Sequence, residues 1–302
     1  MTEKLPNYGG QALIEGVLMR GERSAAIAMR APDGEIVYHT EELSGIYKTN
    51  WVKIPFLRGL VGLWDSLGLG MRALTISANV QGEEEDEKIE GVMLFFTLLI
   101  SIAFSVGLFV LLPAAISHFI ENWIGVENAW VSNLIEGIIR IILLIGYIWA
   151  ISLVDEVKRV FSFHGAEHKT INAFEAGSEM TPEEIKKHSL EHPRCGTSFL
   201  LSMALISIIL FSLIGPIDSI WVRLGARILL IPVLAGVSYE YIKLTAKHID
   251  SPFVRFLIRP NLALQKLTTN EPDLEIIEVA LAAFNKMKET ELLYSTEKHS
   301  EV

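Results

Sequence analysis

Cysteine is almost missing from this chain: Cys195 stands alone among 302 residues. A single thiol excludes an intrachain disulfide framework and suits a site that faces a reducing compartment. Basic residues are also in deficit, with 26 Lys and Arg against 36 Asp and Glu and a net charge of −10. That balance excludes a general attraction to nucleic acid or anionic lipid, so any basic effect must be local and no nucleic-acid partner is expected. The opening residues, MTEKLPNYGG, lack the charged-then-apolar pattern of a signal peptide. Neither Walker spacing nor G-x-G-x-x-G occurs, no Ser-His-Asp arrangement follows from spacing, and no solenoid-length repeat is visible.

What the chain has is apolar sequence. Half of it is hydrophobic, the mean hydropathy is +0.37, and charged residues make up 21%. Soluble domains carry roughly 25% charge. Gly91 to Phe119 has no charge between Val92 and Ser117, which is long enough to cross about 30 Å of hydrocarbon. Further candidates run from Val131 to Val154, from Ser198 to about Ile217, and from Ile220 to about Leu244. Four such segments argue for membrane insertion over a buried helical hairpin. Glu136 and Arg140 stand at i,i+4 and can pair on one helix face. Arg223 and Arg227 are expected to snorkel to the interface, and Pro232 to kink its helix.

Orientation follows the Lys/Arg bias. Lys158, Arg159, Lys169, Lys186, Lys187 and Arg194 lie between the second and third candidates, and Lys243, Lys247, Arg255 and Arg259 at or beyond the end of the fourth. SHFIENWIGVENAW, between the first and second, has no Lys or Arg. A multi-pass plasma-membrane protein is expected, with both termini and the central His-rich loop cytoplasmic.

The remaining segments are expected outside the bilayer. SAAIAMRAPDGEIVYHTEEL (24–43) alternates around Pro32-Asp33-Gly34 and predicts a hairpin. In PFLRGLVGLWDSLGLGMRALTISA (55–78), Arg58, Asp65 and Arg72 recur every seven residues, a narrow polar stripe. That stripe suits a helix in the membrane interface or packed on the spans. The expected order is a β-containing segment (1–54), an interfacial amphipathic helix (55–80), an acidic linker (81–90), a four-span domain (91–244) with a cytoplasmic loop (155–197), and a cytoplasmic helical tail (245–302) whose last dozen residues fray. The fold class is a mainly α membrane protein with four transmembrane helices and a small N-terminal sheet.

The chemistry concentrates in FHGAEHKTINAFE (163–175). On a helix, His164 and His168 share a face one turn apart, where two imidazoles can reach one Zn²⁺ at about 2.0–2.1 Å. Glu167 completes H-x-x-E-H, the spacing of inverted zinc hydrolases, in which the glutamate is the general base. Glu175 returns to that face about three turns away, a partner for the ligands more readily than a ligand. HPRCGTSF brings His192 and Cys195 at H-x-x-C spacing, and SYEYIK offers Glu240. One of these three is the expected third ligand; His188 and His39 are weaker candidates. If His192 and Cys195 both bind, the sphere closes and the metal is structural; if one does, a position stays open for chemistry. Cys195 as a nucleophile activated by His192 is a minor option. In YGGQALIEGVLMRGERS (8–24), the glycines serve packing, or else Gln11, Glu15 and Arg20 touch substrate. Arg194 is a further candidate contact.

YGGQALIEGVLMRG, FHGAEHKTINAFE, HPRCGTSF and SYEYIK, in this order around the apolar segments, resemble the YqhQ-like bacterial membrane family, domain of unknown function 1385. The likeness runs from about Tyr8 to Phe284. It implies a bacterial metal-dependent membrane enzyme and implies no substrate. Three functions are expected in competition. The first is a zinc-dependent hydrolase acting on a peptide or lipid-linked substrate at the cytoplasmic face. The second is a non-enzymatic scaffold or regulator with a structural metal. The third is a small transporter lined by Glu136, Arg140, Arg223 and Arg227, in need of a homo-oligomer.

Overall fold

The computed structural model describes residues 8–43, 54–82, 91–126, 128–214, 217 and 219–300. The expected acidic linker lies almost wholly outside these residues. Four strands, β1 (Gly9–Leu13), β2 (Gly16–Arg20), β3 (Ser24–Arg30) and β4 (Ile36–Glu42), form an antiparallel meander in chain order. The turn predicted at Pro32-Asp33-Gly34 joins β3 to β4, with Gly34 at φ +91°. The glycine-rich stretch before it is a second hairpin that the sequence reading missed: β1 pairs with β2 through a tight turn in which Glu15 takes φ +53°.

The sheet is covered on both faces, which is why β2 and β3 read as nearly continuous apolar runs. Leu18, Ala25, Ile27 and Met29 pack on Leu69 and Ala73 of α1 (Leu57–Gln81). On the other face, Val17, Met19, Ala26 and Ala28 meet Phe163 and Ile171 of α5 (Asp155–Glu175) and Ala280, Phe284 and Met287 of α11 (Leu274–Ser300). Segments separated by most of the chain therefore share one core. The tail does not begin to fray at residue 291. Glu291 accepts the Arg23 and Ser24 backbone N–H groups at 2.6 and 2.8 Å, and the helix continues to Ser300.

The seven-residue stripe on α1 turns out to be a row of clasps. Arg58 pairs with Glu240, Asp65 with Arg20 at 3.0 Å, and Arg72 with Glu41 at 3.0 Å. Trp64 and Leu67 on the same helix stay exposed.

The apolar segments form the rest of the molecule. A helical run, Gly91–Ile124, comprises α2 (Gly91–Val106), a π-helical turn (Gly107–Leu111) and α3 (Leu112–Ile124). It is followed by α4 (Ala129–Ile151), then α5 and the short α6 (Pro182–Ile185), then α7 (Thr197–Ile214). α8 (Ile220–Leu229) and α9 (Ile231–Lys247) meet at 45°, with Pro232 at the start of α9, as a proline that cannot donate its N–H requires. α10 (Pro252–Gln265) packs back on α7. Among the described residues, three helices are long and apolar enough to cross a membrane, and the bent pair makes a fourth if it acts as one span.

Inside this bundle Glu136 and Arg140 pair at 2.7 Å, as their spacing predicts. Arg223 and Arg227 do not snorkel. They are 4% and 2% exposed, bound to Glu121 at 2.8 Å and Glu136 at 2.9 Å respectively. Their helix turns inward because its buried stripe carries both arginines, and a guanidinium held among carboxylates avoids the cost of an isolated buried charge. Arg140 also donates to the Phe109 carbonyl in the π-helical turn at 3.0 Å.

Candidate metal centre

α5 begins with Asp155 and Glu156, favourable at the positive end of the helix dipole, and carries the H-x-x-E-H sequence through its middle. The next-door Gly165 is unusual in a helix interior, where it destabilises by about 1 kcal/mol relative to Ala. Here only glycine fits: a Cβ would lie 2.2 Å from the Asn270 carbonyl oxygen and 2.8 Å from Leu190 Cδ2. The missing side chain lets the 188–191 and 268–270 segments close over the histidine face.

Those segments orient both imidazoles. His164 Nδ1 lies 2.8 Å from the Thr268 carbonyl, and His168 Nδ1 lies 2.5 Å from the Leu190 carbonyl. A carbonyl only accepts, so each Nδ1 is the donor and Nε2 is the nitrogen left to face a ligand, the orientation that ligating histidines adopt. His164 Nε2 faces Cys195 Sγ at 3.2 Å. His168 Nε2 is buried and has no hydrogen-bond partner. Donor atoms of His164, His168 and Cys195 all lie within 4.8 Å of one another. A buried, orphaned imidazole nitrogen beside a thiol and a second lone pair fits a soft or borderline cation such as Zn²⁺. The three residues present suit such an ion.

Glu167 is 5% exposed and its Oε2 sits 3.9 Å from His164 Nε2. Burial pushes its carboxyl up to about 7, with His164 and the Gly10 backbone N–H pulling the other way. β1 reaches it because Gly10 has no side chain: a Cβ there would lie 2.7 Å from Glu167 Cγ.

A second layer surrounds the three donors. The His192 ring lies 5.5 Å from that of His168, and its Nε2 points towards Glu175 Oε2 at 3.9 Å and Arg194 Nη2 at 3.4 Å. Burial pushes the His192 imidazolium down, against the pull of Glu175, so the ring favours its neutral form. Glu175 itself forms an ion pair with Arg194. Gln265 clamps the backbone of His192 from both sides, accepting at 3.0 Å and donating at 2.8 Å, and donates to Ser198 at 2.9 Å. Thr197 Oγ1 is 3.1 Å from Cys195 Sγ. Sequence reading missed Gln265 and Thr268: one acts through an ordinary amide and the other through a carbonyl any residue could supply.

Several expected contacts lie elsewhere. Glu240 is outside the cluster, its carboxylate held by Arg58 at 2.7 and 2.5 Å, because α1 crosses α9 and brings that guanidinium to it. Gln11 packs on Gly70 of α1, Glu15 pairs with Arg159, and Arg20 pairs with Asp65. These three bind the sheet to its neighbouring helices. His39 is exposed on β4, and the His188 carbonyl accepts from Lys169 at 2.7 Å.

The family model "Protein of unknown function (DUF1385)" matches residues 54–290. "Uncharacterized protein YqhQ" of Bacillus subtilis (strain 168) is 36% identical over 302 residues, covering 95% of this chain and 94% of that protein. No solved structure matches significantly. A match over most of the length, taken with a relative aligned nearly end to end, places the chain plainly in the family of domain of unknown function 1385.

Proposed function

We propose that this protein is a zinc-dependent hydrolase embedded in the bacterial plasma membrane, with its centre at the cytoplasmic face. The observation that carries the reading is the pair of Nδ1-anchored histidines whose Nε2 atoms, the one on His168 unpartnered, converge with Cys195 Sγ. Three protein donors leave a fourth position open, as in catalytic zinc sites; a closed His₃Cys sphere would need His192, which faces Glu175 instead. Zinc held there would supply Lewis-acid activation of a water molecule. Glu167, buried with its carboxylate 3.9 Å from His164 Nε2, would be the residue placed to accept and return a proton in that chemistry. His192, Gln265 and Thr268 hold the ligands in place. The substrate class is peptide or lipid-linked.

Membrane embedding is supported by surface and by topology. No residue of α2 is buried, and Phe95, Phe96, Ile100 and Phe104 are exposed, an apolar surface that water would not tolerate. The N-terminal sheet, α5 and α11 share one core, so they must lie on one side of a bilayer. That requires an even number of crossings before α5 and an even number between α5 and α11. The run Gly91–Ile124 with α4 satisfies the first condition, and α7 with the bent α8–α9 pair the second. The basic residues of the 155–197 loop then mark that side as cytoplasmic.

Elemental analysis of purified protein tests the centre. Wild type should hold one zinc per chain, His168→Ala should lose it, and Glu167→Gln should keep it while abolishing turnover. Metal-free wild type would overturn the reading.

A further inference from the structure

Beside the candidate centre lies a cavity of about 800 Å³, between α1, the 194–199 segment and α9. Cys195 forms part of its wall, so the cavity adjoins the centre. Its lining has two characters. Leu63, Phe199, Tyr239 and Ile242 are apolar or aromatic, whereas Arg194, Lys243 and Lys247 are cationic, and no carboxylate lines it. This is unusual in a chain of net charge −10. Arg194 is engaged with Glu175, but Lys243 and Lys247 are exposed and make no ion pair or hydrogen bond among the described residues. The two lysines stand at i,i+4 on the last turns of α9. Glu240, one turn before Lys243 and already paired with Arg58, attracts the first of them, and an anion placed between the two would relieve the repulsion that remains.

The geometry points to a binding site for a phosphate group carried on an acyl chain, with the phosphate on Lys243 and Lys247 and the chain along Leu63, Phe199 and Ile242. An anionic phospholipid bound in this way would share its cavity with Cys195 of the candidate centre. This inference deepens the hydrolase reading by choosing a lipid over a peptide substrate, and rests on it for any turnover. Occupancy of the cavity can be measured without turnover.

The test titrates phosphatidylglycerol, phosphatidylcholine and inorganic phosphate separately into detergent-purified protein, following intrinsic fluorescence and melting temperature. Phosphatidylglycerol should bind tightest, since it alone offers both a net negative charge and acyl chains; inorganic phosphate should bind only weakly. Lys243→Gln with Lys247→Gln should weaken phosphatidylglycerol by about 30-fold, from about 1 kcal/mol per lost cation. The same variant should weaken phosphatidylcholine, whose choline already offsets its phosphate, by a smaller factor and leave zinc content unchanged, and Lys243→Arg with Lys247→Arg should retain binding. Equal affinity for the two lipids, or an unchanged phosphatidylglycerol affinity in the double glutamine variant, would overturn the proposal. Inorganic phosphate bound as tightly as the lipid would overturn the acyl requirement. A metal-free protein that still discriminates the lipids would sink the hydrolase reading alone.

Discussion

At the scale of single residues, Glu167 and Gly165 do opposite things for the same centre. Glu167 is a carboxyl kept from water, with its pKa raised to about 7 against an ordinary 4.5. A raised folded-state value means that the folded protein binds the proton more tightly than the unfolded chain. In zinc-stripped protein the stability associated with this group is therefore fully present below about pH 4.5 and lost as pH rises through 7. The loss is about 3 kcal/mol. Glu167→Gln, neutral at every pH, should flatten that part of the stability profile, measured by melting metal-free protein from pH 4.5 to 8. Gly165 is the space into which the Asn270 carbonyl and Leu190 fit. Gly165→Ala should destabilise by about 1–3 kcal/mol, because backbone must move, and should weaken retention of the proposed zinc by spoiling the Leu190 and Thr268 contacts to the imidazoles. A loss of melting temperature with zinc affinity intact would mean those carbonyls do not set the ligand geometry. The histidines and Glu167 were legible as a spacing. The orientation of each ring was not, since it is imposed by carbonyls on remote segments.

At the scale of elements, the strongest local signals were amphipathic ones, and what they faced was misjudged where charge met apolar sequence. The stripe on α1 was visible as a period of seven, but whether it faced solvent, lipid or protein depended on partners at Arg20, Glu41 and Glu240. Arg223 and Arg227 looked like interfacial residues because α8 begins near them, yet the bundle supplies Glu121 and Glu136. Glu136 is the hub, touching Arg140, Arg223 and Arg227. Glu136→Ala should destabilise the bundle by about 3–5 kcal/mol, since it leaves buried guanidinium groups without their counter-charge. The check is the yield and melting temperature of the variant in detergent, and a loss below 1 kcal/mol would show that water or lipid reaches those arginines. The β1–β2 hairpin was hidden for a different reason: its glycines, among them Gly10 against Glu167 and Gly16 against Met29, dilute the alternation that marks a strand.

At the scale of the whole molecule, one core joins the first strands, the central loop and the last helix, and the proposed membrane crossings must accommodate it. Reporter fusions after residue 302 and within the 176–181 turn should both read cytoplasmic, and one between α3 and α4 should read external. A C-terminal reporter on the external side would break the shared core and the parity that depends on it. Glu291 links the end of α11 to the β2–β3 turn, so truncation before it should loosen the sheet. Limited proteolysis near residues 21–24 would detect this.

The sequence alone determined what composition and period can encode. Long uncharged runs specify apolar helices, alternation around Pro32-Asp33-Gly34 specifies a hairpin, and a four-residue interval puts two imidazoles on one helical face. These are local properties, set by the backbone repeat of 3.6 or 2 residues. Only the tertiary structure showed which of the candidate donors Cys195, His192 and Glu240 lies beside His164 and His168. Glu240 was taken by Arg58 and His192 turned to Glu175, leaving the thiol, because helix crossings and loop closure bring together groups whose separation along the chain carries no information about their distance in space.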